Sequence, residues 1–422
     1  MHQRLRLFLQ RLREQLWVKP LLVCFLSIAG VFLAKLADDT GLAKFLPTIE
    51  LESINTLLST MSASMLVIAT FAVGAMVTAY ASASSQATPR SFSLVIADDV
   101  SQNALSTFIG SFIYSIVGLI ALQNEYFGKA GHFALFALTL AVFALVIITF
   151  VRWLDRIARL GRIQTTVESV EAATRKALLR RKQQPRLCGK PVSLEQENMI
   201  PFFPRKIGYL QVIEMALLQE YAEKQQLHVR VASLPGVFCT PDRPLAFFRA
   251  SAADGKPLSS QDLDCDILHK AFVIDRYRTF TDDPRFGLIV LSEIASKALS
   301  PGINDPGTAI HVIGAMVRLL TEWSEQQPCD EPLTVTYDRI EVPELSAADM
   351  LEDAFAAIGR CGANTVEVAI RLQKGLKSLV CCGDKALAEA AKQQADIALQ
   401  RAQLALVIDA DKEAVCRAAG EG

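Results

Sequence analysis

The chain has 422 residues, 51% hydrophobic and 21% charged, with a formal net charge of −1 and a mean hydropathy of +0.29. That is too apolar for an ordinary soluble protein, and the charge balance exerts no overall pull on nucleic acid, so none is expected as a partner. Nine cysteines at irregular spacing, with no CxxC pair, suggest neither a zinc ribbon nor a disulfide framework and fit free thiols in a reducing compartment.

The apolar runs concentrate between residues 20 and 150. Four of them suit membrane spans, which need roughly 20 mostly apolar residues: Pro20 to Ala34 (extended by Leu16 and Trp17), Leu57 to Ala83, Ala104 to Leu122, and His132 to Trp153. No small-residue cleavage site follows the first at the right place, so it reads as a retained helix rather than a signal peptide. Arg4, Arg6, Arg11, Arg13 and Lys19 precede the first span against Glu14 alone, and Arg152, Arg156, Arg159 and Arg162 attend the end of the fourth. The first loop is acidic, with Asp38, Asp39, Glu50 and Glu52 against Lys35 and Lys44. Cations mark the cytoplasmic side, so both termini are expected there.

Ser59, Ala63, Thr70, Gly74, Thr78, Ala81 and Ser85 form a small, weakly polar stripe on the second span, and Gly110, Ser111, Tyr114, Ser115 and Gly118 repeat it on the third. Small residues let helices approach closely in lipid, which is the common use of such stripes. A water-filled path lined by hydroxyls is the alternative. No ionisable residue lies at the centre of a span, which argues against proton- or sodium-coupled transport.

Beyond the fourth span, Leu160, Ile163, Val167, Val170, Thr174 and Ala177 repeat three and four apart on what reads as a continuing helix. The seam suits a coiled coil between subunits or an amphipathic helix lying on the soluble region. Its basic run, Arg175, Lys176, Arg180, Arg181 and Lys182, suits anionic headgroups or plain solvation. Pro185, Pro191, Pro201 and Pro204 then mark a linker. The expected division is 1–155 spans, 156–183 connecting helix, 184–205 linker, 206–345 an α+β cytoplasmic domain, and 346–422 a helical region.

In the soluble part, "GYLQVIEMALLQEYAEKQQ" reads as a helix, and Leu227, Val229 and Val231 alternate as a strand before a Pro235-Gly236 turn. A second apolar strand at Leu245 to Phe248 completes a module resembling the small β-sandwich of biotinyl and lipoyl domains. Its hairpin, "CTPDRPL", has no lysine to carry a cofactor, so none is expected. Cys265 and His269 share a helical face, but structural zinc wants about four ligands, so no metal is expected either.

"TFTDDPRFGL" and "SPGINDPGTAI" each combine a capping Asp with Pro at the first helical position. The second reads as a hairpin between two helices. An anion or small polar ligand at the second helix's amino end is the competing reading, with Arg278, Lys297, Asn304, Asp305 and His311 as candidate partners. A strand, "PLTVTYDRIEV", and three helical stretches from about 346 to 416 complete the chain. No Ser-His-Asp arrangement, Walker loop, GxGxxG or HExxH occurs, so no catalytic residue is assigned and the protein is expected not to be an enzyme.

The segments "LSTFIGSFIYSIVGL", "GYLQVIE" and "RYRTFTDDPRFGLIVLSEIASKALSPGINDPGTAI" resemble those of a bacterial family of predicted membrane proteins, domain of unknown function family 2254, over nearly the whole chain. The resemblance implies a multi-pass protein of the bacterial inner membrane and no settled activity. Two functions stay open. One is a homo-oligomeric, channel-like path for ions or small solutes with a regulatory cytoplasmic domain. The other is a membrane-anchored sensor or scaffold that binds a small polar ligand or a protein.

Overall fold

The structure, a computed structural model, describes residues 17–40, 46–86, 88–92, 94, 98–159, 162–193, 199–250, 263–325 and 335–420. The sequence-predicted cations Arg4, Arg6, Arg11, Arg13 and Lys44, and Leu160 of the seam, lie outside these residues. The chain divides into two compact units, one within residues 6–166 and one within 167–422.

The first unit holds α1 (Val18–Leu36), α2 (Leu51–Gln86), α3 (Asp99–Gln123) and α4 (Lys129–Arg159). All four are long and apolar enough to cross a membrane. Polar contacts at the helix ends set their directions. Lys19 at the start of α1 pairs with Asp99 at the start of α3 at 2.6 Å. Arg156 near the end of α4 pairs at 2.7 Å with Asp98, whose carboxylate also caps α3 by accepting from the Ser101 N–H. At the opposite side Asp38, just past α1, accepts from the backbone N–H of Gly128 and of Gly131, each at 2.7 Å, and so caps α4 from 90 residues away. Helices α1 and α3 therefore run parallel, with α4 against them.

Asp38 has a pKa below the usual carboxylate range: burial pushes it up, but the two glycine N–H groups and Lys35 outweigh that. The ionised form is thus favoured by folding, a contribution present above the unfolded value near pH ~3.9 and lost as pH falls through the lower folded value. Asp38→Asn should lower the protection of the Gly128 and Gly131 amides against hydrogen exchange at neutral pH, and acidification through the lowered folded pKa should lower their protection factors in the parent chain. Unchanged exchange in the variant would refute the cap.

The second unit begins with α5 (Ile163–Gln183), whose first four residues belong to the other unit. The proline-bearing stretch that follows contributes β1 (Gly189–Lys190) and β2 (Ile200–Phe202). These are the two edges of a five-stranded sheet of order β1-β8-β4-β6-β2, completed by β4 (Leu227–Val231), β6 (Ala246–Ala250) and β8 (Tyr337–Glu341). Edges tolerate proline because one row of backbone N–H groups needs no partner. A three-stranded sheet, β5-β3-β7, joins β3 (Gly208–Ile213), β5 (Phe238–Cys239) and β7 (Phe272–Asp275). Between them lies a core of Leu210, Leu218, Val229, Phe248, Ile340 and neighbours, each full burial contributing about 1.5–3 kcal/mol.

The expected helix from Gly208 onward is corrected: Gly208–Ile213 is a strand, and α6 (Met215–Lys224) starts only after Glu214. Both faces of β3 are largely buried, so its apolar run lacks the alternation that reveals a half-exposed strand. The remaining helices are α7 (Cys265–Ala271), α8 (Pro284–Ala298), α9 (Pro306–Ser324), α10 (Ala347–Cys361), α11 (Val366–Val380), α12 (Lys385–Ala405) and α13 (Asp409–Ala419). The C-terminal region thus carries four helices where three were expected. The break at Leu406–Ile408 contains neither Gly nor Pro to announce it.

Candidate functional site

The expected ligand set splits along α8. Fifteen residues at 1.5 Å each make α8 about 22 Å long. Arg278 sits beside its amino end, whereas Lys297, Asn304, Asp305 and His311 gather near its carboxyl end. At that second end the chain turns through Asn304, which adopts φ +49°. The Asn304 N–H donates to the Ser300 carbonyl and the Asp305 N–H to the Ala298 carbonyl, both at 2.8 Å. Asp305 caps α9, accepting from the Thr308 N–H at 3.0 Å and from its hydroxyl at 2.6 Å. The Thr308 hydroxyl and N–H hold the Asp305 pKa below its ordinary value against a smaller effect of burial. The helix end that would attract an anion therefore already holds a carboxylate.

The amino end of α8 is a buried junction. Arg278 grips Asp283 with two hydrogen bonds, Nε to Oδ2 at 2.7 Å and Nη2 to Oδ1 at 3.0 Å, and its guanidinium lies over the Phe286 ring. Asp283, 2% exposed, also accepts from the Phe286 N–H and caps α8. Gly236, at φ +100°, lies against the same carboxylate, where any Cβ would overlap it. From α5, Arg180 donates to the Thr281 carbonyl and to Asp282, both at 2.9 Å, and Arg181 donates to the Asp282 carbonyl. Farther along α8, Arg285 reaches Asp353 of α10 at 2.6 Å.

The reading of the α5 basic run as lipid-facing or solvated is corrected at four of its five positions. Arg175 pairs with Glu322 of α9, Lys182 donates to the Glu322 carbonyl, and Arg180 and Arg181 hold the turn before α8. Sequence spacing showed the cations but not their partners, which lie 101 to 147 residues away. The seam behaves alike. Val167, Val170, Thr174 and Ala177 are buried and Thr174 meets Gly287 of α8, so the helix lies on its own chain.

His269 Nδ1 is bonded to the Cys265 backbone carbonyl one helical turn before it. Among the described residues no cluster of three or more His, Cys, Asp or Glu side chains could hold a metal.

The small residues of the spans divide into two groups. On α3, Gly110, Ser115 and Gly118 are buried. A Cβ at Gly110 would overlap Val23 of α1, and one at Gly118 would come within 3.3 Å of Leu58 of α2. These residues permit close helix approach. On α2 the inward face is instead Ile54, Leu58, Met61, Met65, Ala69, Ala72, Met76 and Ala79. Ser59, Ala63, Thr70, Gly74 and Thr78 are all exposed on the other side, and nothing lies within 4 Å of a Cβ built on Gly74. The three hydroxyls donate to carbonyls of their own helix at 2.9 to 3.0 Å, so they impose no desolvation penalty on an apolar surrounding.

Four membrane-spanning helices followed by an α/β unit with two small sheets define a polytopic membrane protein. The chain belongs to the family described as Predicted membrane protein (DUF2254), which matches residues 13–378. Uncharacterised proteins of Mycobacterium tuberculosis (two strains) and Mycobacterium bovis are each 26% identical over 349 residues, covering 80% of this chain. The chain spans 66% of the length of these relatives. No solved structure matches it significantly.

Proposed function

We propose that copies of this chain assemble in a bacterial inner membrane around the outward face of α2 and form a passive path for ions or small solutes, regulated by the α/β unit. The observation that carries the reading is the exposed stripe of Ser59, Ala63, Thr70, Gly74 and Thr78, which no described helix of its own unit covers. Small side chains allow a second helix to approach, and hydroxyls suit a wet lining. Spans without central charges favour passive over ion-coupled movement, and the reading is non-enzymatic. The cations Lys19, Arg152, Arg156 and Arg159 at one end of the bundle support cytoplasmic termini.

The test is flux through liposomes holding the full chain. Replacing Ser59, Thr70 and Thr78 together by Leu should abolish flux, and unchanged flux would remove the reading. A membrane-anchored sensor or scaffold is the second reading. It is favoured by the burial of the α5 seam within one chain, which withdraws that helix as a subunit contact. A monomer on native mass spectrometry would select it.

A further inference from the structure

Helix α2 carries one charged side chain, Glu52, and no lysine, arginine or histidine along its 36 residues. Glu52, Thr56, Ser59, Ala63, Thr70 and Gly74 follow one another at intervals of three, four or seven residues, so they share one face of the helix. All six are exposed. The outward stripe therefore runs up to a carboxylate about 10 Å beyond Ser59, at ~1.5 Å per residue. That end lies opposite the Lys19 and Arg156 ion pairs, because Ile54 and Leu58 pack with Ala34 and Leu122, late in α1 and α3. Of the cations at that end, Lys35 pairs with Asp38 at 3.4 Å and Lys129 opens α4; neither belongs to α2.

The hydroxyls of the stripe are all turned one way. Ser59 donates to the Thr56 carbonyl at 3.0 Å, Thr70 to the Leu66 carbonyl at 2.9 Å, and Thr78 to the Gly74 carbonyl at 3.0 Å. A carbonyl oxygen only accepts, so each hydroxyl proton is held within the helix and the hydroxyl has only lone pairs left to offer. Oxygen lone pairs can replace the hydration shell of a cation. An anion needs donors or basic side chains, and this line has no basic side chain and three of its hydroxyl protons held. The Glu52 carboxylate acts in the same sense, since rings of acidic side chains draw cations to a pore mouth and repel anions. Neutral oxygens below a single carboxylate per copy suit a monovalent ion, whereas divalent sites are built from several carboxylates or keep a tight water shell. An acid in the first turn of a helix also answers the helix dipole, which is the structural role to be separated from ion selection.

We propose that the path along α2 passes monovalent cations. Glu52 draws them to the non-cytoplasmic mouth, and the outward oxygens of Ser59, Thr70 and Thr78 stand in for their water. The proposal rests on the conduction reading and adds the sign and charge of the permeant ion. The experiment is planar-bilayer recording of the full chain in neutral phosphatidylcholine under a KCl gradient. The reversal potential should lie close to that of K⁺, with K⁺ favoured over Cl⁻ by about tenfold or more. Glu52→Gln should lower the K⁺ current several-fold at about 0.01 M salt, where the Debye length is about 30 Å, and little at about 1 M, where it is about 3 Å. Glu52→Asp should keep most of the low-salt current, and Glu52→Lys should move the reversal potential toward that of Cl⁻. Thr70→Val, at an exposed position, keeps the side-chain shape without the hydroxyl oxygen and should lower the K⁺ current at either salt. If Glu52 serves only the helix dipole, Glu52→Gln will lower the melting temperature and leave reversal potential and low-salt current as in the parent. That result overturns the proposal. A parent reversal potential near zero or near that of Cl⁻ also overturns it, while the conduction reading stands. No current from the folded parent chain at either salt overturns both.

Discussion

Arg278→Ala should destabilise the α/β unit by about 3–5 kcal/mol, the usual result of stranding one partner of a buried ion pair. Asp283 is 2% exposed and both its oxygens accept from Arg278. Without the guanidinium a buried carboxylate remains with the Phe286 N–H, the helix dipole and the more distant charges of Arg181 and Arg285 for compensation. A loss of that size corresponds to a fall of roughly 6–20 °C in the melting temperature of a unit of this size. Arg278→Lys should be intermediate, because an ammonium cannot reproduce the two parallel hydrogen bonds. Adding Asp283→Ser, which keeps a capping hydroxyl and removes the buried charge, should recover much of the loss. Thermal unfolding of the full chain in detergent reads all three. If Arg278→Ala melts within a degree or two of the parent, the junction at the start of α8 is not the support described here.

Gly287→Ala is expected to cost about 1–3 kcal/mol through overpacking. A Cβ at Gly287 would overlap the Thr174 hydroxyl and lie 2.7 Å from the Thr174 Cβ. Thr174 is fully buried, and its hydroxyl is fixed by donation to the Val170 carbonyl at 2.6 Å. Neither side is the free end of a flexible chain, so α5 and α8 must separate. The change should loosen α5 selectively, raising hydrogen exchange along residues 167–183 while the sheets keep their protection. Thr174→Ala removes the worst overlap and should restore part of the stability, giving a strongly non-additive double mutant. Additive losses, or unchanged exchange in α5, would mean the two helices do not meet as tightly as this geometry requires.

Both predictions concern a stretch whose local form was legible in the sequence. The caps at Asp283 and Asp305, with Pro284 and Pro306 in first position, were readable because they act within one helical turn. What the Arg278 guanidinium grips, and why Arg180 and Arg181 are basic, was not readable, because those partners are brought together by packing. The seam of α5 shows the same limit. Its period marks an apolar stripe but does not say whether the covering surface belongs to another copy or, as here, to α8 of the same chain. The strand at Gly208–Ile213 was missed for a related reason: burial on both faces erases the period-two signal.

The amino-acid sequence by itself determined the four spans, the alternating β4 strand, the capped helix starts at Pro284 and Pro306, and the family. Each depends on the hydrophobicity of a contiguous segment or on chemistry within a few residues. Only the tertiary structure decided that the glycines of α3 meet neighbouring helices while the small face of α2 is left outward. It also decided that Asp38 caps a helix 90 residues away and that four of the five α5 cations are matched within the chain. Small residues and charges have no fixed partner until the backbone brings one within a few ångströms, and that choice is made by the packing of the whole unit.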